Sequence, residues 1–241
     1  MIATMTDTLE ALDRDGIVSS SAAELVGATL WGELREAAAE ALTESAWLVD
    51  LARRGQLPTT KRVHKPYLVR LLGDWPDYDS TSVWARVANA TPILDLARTY
   101  LGAPPSLNAF NLWLTVPSHQ PPTDSQLWHR DVDAPSIFKV FFYLSDVTPE
   151  AGPLTYLPRT HRWTAHGIEP ETTRVCNVPR ATDAQMRAVA PTETWREATG
   201  PLGTALLVDT SGWHKGGHGT IDRLVFTAMY TTVADLGYFA R

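Results

Sequence analysis

Three side chains carry the chemistry for which this sequence is best read. His129 and Asp131 stand two residues apart in Trp128-His129-Arg130-Asp131, at the mouth of an expected strand. Residues i and i+2 of an extended segment point the same way, so this imidazole and this carboxylate can converge on one point. His214 follows 83 residues beyond Asp131, just after the apolar run at 204–208. Two histidines and one carboxylate make the facial set that holds non-haem Fe(II) and leaves three positions open. Arg223, nine residues after His214, opens another apolar run. A guanidinium there could grip a carboxylate at two points. His-x-Asp alone is a weak signal. The demanding part is the order: His-x-Asp, long gap, strand, His, Arg, strand.

Each neighbouring residue has a competing reading. His218 stands four residues after His214 and would be the ligand on a helix, but glycines at 212, 216, 217 and 219 argue against helix there. Asp133 fits a strand poorly as a substitute for Asp131. His161 reads as a structural turn residue. Lys139 shares a strand face with Phe141 and Tyr143, and either reaches the pocket or extends its ammonium to solvent. Trp113, Trp128 and Trp213 sit beside the proposed site, as pocket wall or as plain core. The bland alternative for Arg223 is a surface ion pair with Asp222.

The elements that must position these residues are mainly β with flanking helices. The chain reads as one domain over 1–241: a helical part at about 1–105, then a β core at about 106–241. A turn and short strand are expected at 13–18. Ser21 with Glu24 suggests a capping box. Helical spacing of Leu30, Leu34, Ala37, Ala38 and Leu42 predicts a helix from 22 to 54, ended by Gly55. A second helix is expected from 91 to 101, with Pro92 near its start and Gly102 as its stop. Strands are expected at 67–72, 107–117, 138–144, 155–157, 204–208 and 224–231. A helix is expected near 183–189, inside a long insertion. Many short strands with Pro/Gly turns suggest a sandwich or barrel.

The segment from Lys139 to His161 is where a family becomes visible. It runs Lys-Val-Phe-Phe-Tyr-Leu-Ser-Asp-Val, then Gly152-Pro153-Leu154, then Pro158-Arg159-Thr160-His161. This resembles the phytanoyl-CoA dioxygenase family, whose members commonly show an apolar strand, a short acidic turn, Gly-Pro-Leu and Pro-Gly-Ser/Thr-His. Arg159 stands where that pattern has Gly. The resemblance spans roughly residues 10–232 and is densest between Trp128 and Arg223. It implies a double-stranded β-helix (jelly roll, cupin-like) and Fe(II)- and 2-oxoglutarate-dependent oxygenation of an unactivated C–H, with succinate and CO2 as co-products. It implies that His129, Asp131 and His214 are the metal ligands and catalytic centre. Arg223 would pair with the far carboxylate of 2-oxoglutarate, Phe141 would lie against that co-substrate, and Asn111 would offer it a hydrogen bond. Halogenases of this broad class have Ala or Gly at the Asp131 position, so the carboxylate points to hydroxylation, desaturation, ring closure or demethylation.

Composition narrows the partners. A net charge of −6 without a basic run argues against nucleic acid. No stretch is long and apolar enough to span a membrane. The N-terminus lacks the basic start and apolar run of a signal peptide. The single cysteine, Cys176, excludes an internal disulfide and suits a reducing cytosol, so a cytoplasmic enzyme acting on a small molecule with O2 is expected. Two other classes fit the residues: a cupin-like metalloenzyme that does not use 2-oxoglutarate, and a non-catalytic small-molecule-binding domain. The specificity loops at 58–65, 74–80 and 163–199 carry no motif that names a substrate. Arg62, Lys65, Arg174 and Arg180 could meet an anion or simply be solvated.

Overall fold

Alternation along the long apolar runs dictates a sheet with two unlike faces. The computed structural model describes residues 4–57, 65–161, 168–175, 178–234, 236 and 239. Arg62 and Cys176 lie outside the described residues, as does most of the loop at 58–65. The helices are α1 (Met5–Asp15), α2 (Ala22–Val26), α3 (Ala28–Glu44), α4 (Ala46–Arg53), α5 (Val83–Ala88), α6 (Thr91–Leu101) and α7 (Asp183–Arg187). The strands are β1 (Ile17–Ser21), β2 (Leu68–Arg70), β3 (Ser106–Thr115), β4 (Phe138–Tyr143), β5 (Leu154–Tyr156), β6 (Thr173–Val175), β7 (Val178–Arg180), β8 (Arg196–Glu197), β9 (Thr204–Asp209), β10 (His214–Gly216) and β11 (Arg223–Thr231).

The main sheet is antiparallel, in the order β1-β9-β4-β11-β3-β2, and a smaller sheet has the order β10-β5-β8. Its outward residues, including Leu112, Leu114, Val140, Phe142, Leu207 and Phe226, pack against Leu12, Leu34, Val49, Ile93 and Leu96 of the helices. Its inward residues, Phe141, Tyr143, Leu206, Val208 and Val225, meet Leu154 and Tyr156 of the small sheet. This is the jelly-roll arrangement, with helices covering one face and the space between sheets left for a site.

Several local expectations change. The run from 22 to 54 is three helices, broken at Gly27 (φ 81°) and at Ser45. Ser21 makes no side-chain cap bond, because it is the last residue of β1 and pairs with Thr204. α1 was not anticipated, although Thr4 and Asp7 form a capping box and Gly16 closes the helix in the left-handed region at φ 76°. β1 and β2 come from the N-terminal part and extend the main sheet at both edges. Arg159 has φ 67°, in the left-handed region that favours glycine, which fits the Gly of the family pattern at this place.

Candidate metal centre

Backbone pairing brings the three candidate ligands together. His129 and His214 form an antiparallel bridge, each N–H donating to the other's carbonyl at 2.9 Å. Trp128 pairs in the same way with Ala181, and the Asp131 N–H donates to Thr210 O at 2.9 Å. The turn before His214 is locked. Asp209 accepts from Ser211 N at 2.9 Å, Ser211 Oγ at 2.6 Å and Tyr100 Oη at 2.6 Å. Tyr156 Oη donates to Asp209 O at 2.8 Å, and a side chain at Gly212 would collide with that hydroxyl.

The ligand atoms of His129, Asp131 and His214 all lie within 4.8 Å of one another. His129 Nε2 is 3.8 Å from Asp131 Oδ1, and His214 Nε2 is 3.9 Å from Asp131 Oδ2. Each histidine sets its Nδ1 against a carbonyl: Leu127 O at 2.8 Å and Gly212 O at 2.9 Å. A carbonyl can only accept, so each Nδ1 carries the proton and each Nε2 turns its lone pair inward. Burial holds both imidazoles below their usual pKa, and for His129 the neighbouring His214 adds to this; Asp131 opposes the shift without reversing it. Burial alone would raise the Asp131 carboxyl, but the Lys139 ammonium beside it holds it well below the usual carboxylate range. Two neutral imidazoles and one carboxylate are the donor set that a borderline divalent metal requires.

A cavity of about 120 Å³ adjoins these atoms. It is lined by Trp113, Thr115, Lys139, Phe141, Leu206 and Arg223, with Lys65 and Tyr67 at its side. Arg223 is paired across the strands with Thr115. Its guanidinium donates to Gly152 O and reaches Thr115 Oγ1 at 3.5 Å, while Nε has no partner. No carboxylate pairs with it among the described residues, and burial lowers its pKa. Lys65 also lines the cavity, and burial lowers its pKa although the charges of Asp124 and Asp131 oppose the shift. The lining thus holds three basic side chains, Lys65, Lys139 and Arg223, against one carboxylate, Asp131. A low-dielectric cavity with that balance suits an anionic occupant.

The structure gathers most of the residues singled out from sequence. His129, Asp131, His214, Arg223 and Phe141 share one cavity. Asn111 faces the same side of β3 as Trp113 and Thr115 but does not reach the cavity lining. Its amide instead donates to Gly73 O at 2.8 Å. His218 turns away to Gln120 O, and His161 to Asp13 O. Asp133 is exposed and outside the cluster. Asp222 pairs with Arg53, not with Arg223. Of the three tryptophans, Trp113 walls the cavity, whereas Trp128 and Trp213 belong to a separate apolar cluster. Arg180 makes a buried pair with Asp124 at 2.7 Å, and Arg174 is exposed. Tyr67 and Thr115 line the cavity although sequence reasoning did not select them, and Lys65, left there between an anion contact and solvent, lines it as well. Alternation along β3 was the available signal for Thr115, and nothing local marks Lys65.

A jelly roll with two histidines and an aspartate beside a cationic pocket defines a metal-binding enzyme class. A profile of that class matches residues 35–222, and the chain belongs to the phytanoyl-CoA dioxygenase family. No curated protein matches it significantly. Among solved structures it resembles AviO1 from Streptomyces viridochromogenes Tue57, with 18% identity and TM-score 0.60 over 95% of this chain and 96% of that one. It also resembles the epimerase SnoN in complex with Fe3+, alpha ketoglutarate and nogalamycin RO (20% identity, TM-score 0.56, 94% and 83% covered). A third is EctD from S. alaskensis with 2-oxoglutarate and 5-hydroxyectoine (20% identity, TM-score 0.60, 96% and 77% covered). No described helix is long and apolar enough to cross a membrane.

Proposed function

We propose that this protein is an Fe(II)- and 2-oxoglutarate-dependent oxygenase that oxidises an unactivated C–H of a small molecule, with a natural-product intermediate as the favoured class. The observation that carries this reading is one cavity holding His129, Asp131 and His214 within 4.8 Å of one another beside Arg223, which has no carboxylate partner among the described residues. Membership in the phytanoyl-CoA dioxygenase family supports it. The structural relatives that bind nogalamycin RO and 5-hydroxyectoine support the small-molecule class.

The residues divide the work. His129, Asp131 and His214 would hold the metal on one face. Arg223, with Thr115 beside it, would take the far carboxylate of the co-substrate, whose charge satisfies a guanidinium already stripped of water. Phe141 and Trp113, with ring centroids 6.4 Å apart, would exclude water from the co-substrate's methylene chain. Iron and 2-oxoglutarate, when bound, supply an O2-derived oxidant with succinate and CO2 as co-products. The carboxylate at 131 favours hydroxylation or a related oxidation over halogenation. The chain is read as a single domain, its helices buttressing the outer sheet face.

The test is succinate formation by the purified protein with Fe(II), ascorbate and 2-oxoglutarate, followed by a screen for small molecules that accelerate it. Basal, iron-dependent succinate that rises with a particular scaffold supports the reading. Iron binding without any 2-oxoglutarate consumption would move the protein to another metalloenzyme class.

A further inference from the structure

Lys139 has a place that the site as described so far does not explain. It lies in the middle of the main sheet, on β4, opposite Val208 of β9 and Met229 of β11. Strand alternation turns it inward with Phe141 and Tyr143, so its ammonium enters the cavity rather than reaching solvent. There Nζ lies 2.5 Å from Asp131 Oδ2, and both side chains are only 15% exposed. The other oxygen, Oδ1, has no lysine on it and lies 3.8 Å from His129 Nε2, while the gripped Oδ2 lies 3.9 Å from His214 Nε2. Neither Lys65 nor Arg223 bonds Asp131; Lys139 alone among the described residues grips its carboxylate.

We propose that Lys139 is a positioning residue that holds one oxygen of Asp131, so that the carboxylate offers a metal the other oxygen alone. This rests on the iron site proposed above. A charge-assisted bond from an ammonium is short and strong, and it uses the lone pairs that a two-oxygen ligand would need. The consequence is for coordination count. A carboxylate binding through both oxygens would occupy a fourth position and leave two open. One bound through a single oxygen leaves three, enough for a chelating 2-oxo acid and O2. The lysine also fixes the carboxylate's rotation, as groups bonded to metal ligands generally do.

The experiment uses Lys139→Met, which keeps the stem and loses the donor, and Lys139→Gln, which keeps a neutral donor. Co(II) is titrated into the metal-free proteins by calorimetry, and the visible Co(II) spectrum, which reports coordination number, is recorded. Lys139→Met is expected to weaken Co(II) binding about tenfold to a hundredfold and to change the spectrum. Lys139→Gln is expected to stay closer to wild type in both. Equal or tighter Co(II) binding by Lys139→Met with an unchanged spectrum would overturn the proposal. Should Lys139→Met fail to fold, a crystal structure of the Ni(II)-loaded wild type decides. Lys139 on the unbound oxygen of Asp131 supports the role, whereas Asp131 bound through both oxygens, or Lys139 turned away, refutes it. Failure of wild type to bind any metal would instead remove the iron-site reading itself.

Discussion

Replacing Arg223 with alanine should separate co-substrate recognition from metal binding. The guanidinium is buried beside Thr115 and Gly152, has no carboxylate partner among the described residues, and keeps Nε without a hydrogen-bond partner. Its desolvation is therefore already in place before an anion arrives. Removing one member of a buried charge pair costs about 3–5 kcal/mol. At roughly 1.4 kcal/mol per decade, Arg223→Ala should weaken 2-oxoglutarate binding by a factor of about a hundred to a few thousand. The assay is calorimetric titration of 2-oxoglutarate into Ni(II)-loaded protein, where turnover cannot intervene; quenching of Trp113, which walls the cavity, gives a second reading. Pyruvate, which lacks the far carboxylate, should be much less sensitive to the substitution. Metal affinity should be nearly unchanged, since the three ligands are untouched. Equal 2-oxoglutarate affinity in variant and wild type would remove Arg223 from the site and refute the charge argument.

Three further outcomes are expected. His129→Ala and His214→Ala should each abolish stoichiometric Fe(II) retention and turnover, checked by metal analysis after gel filtration; near-normal activity in either would break the triad assignment. Asp131→Ala should abolish turnover and leave the Lys139 ammonium unpaired beside the vacated position, so residual Ni(II) binding should become chloride-dependent in titrations with and without chloride. Normal oxidation by that variant would point to Asp133 instead. In chelator, stability of the metal-free protein should be full above about pH 6.5, where unfolded histidines titrate. It should fall as pH drops towards the depressed folded values of His129 and His214, by up to about 1.4 kcal/mol per pH unit for each, because only the unfolded chain takes up those protons. Urea melts between about pH 7.5 and 5.5 measure this slope, and a flat profile would contradict the burial argument.

The clustering of the three candidate ligands was legible because strand alternation and loop glycines act locally. His129 and Asp131 could be paired from their i, i+2 spacing, and the glycines around His214 excluded a helix that would have favoured His218. β3, β4, β9 and β11 were visible as apolar runs with turn residues between them, and the structure moves their ends by one or two residues. What was not legible depends on partners distant in sequence. β10 is three residues long and exists because it pairs with β5. β8, two residues long, likewise rests on pairing with β5. Asn111 was on the expected face, but Gly73 takes its amide. Lys65 looked like one of several solvated cations, and only the closing of the fold brings it into the cavity. Lys139 stood between two readings that alternation alone could not separate, and its contact with Asp131 decides for the pocket.

The central claim is that His129, Asp131 and His214 hold one Fe(II) ion to which 2-oxoglutarate adds, with Arg223 fixing its far end. The most direct measurement is an anaerobic titration of the metal-free protein with Fe(II) and then 2-oxoglutarate, following the visible charge-transfer absorption of a 2-oxo acid chelated to Fe(II). The account predicts that this absorption appears in wild type at one iron per chain, vanishes in His129→Ala and His214→Ala, and needs far more 2-oxoglutarate in Arg223→Ala. No absorption in wild type loaded with iron, or an undiminished one in either histidine variant, would contradict it.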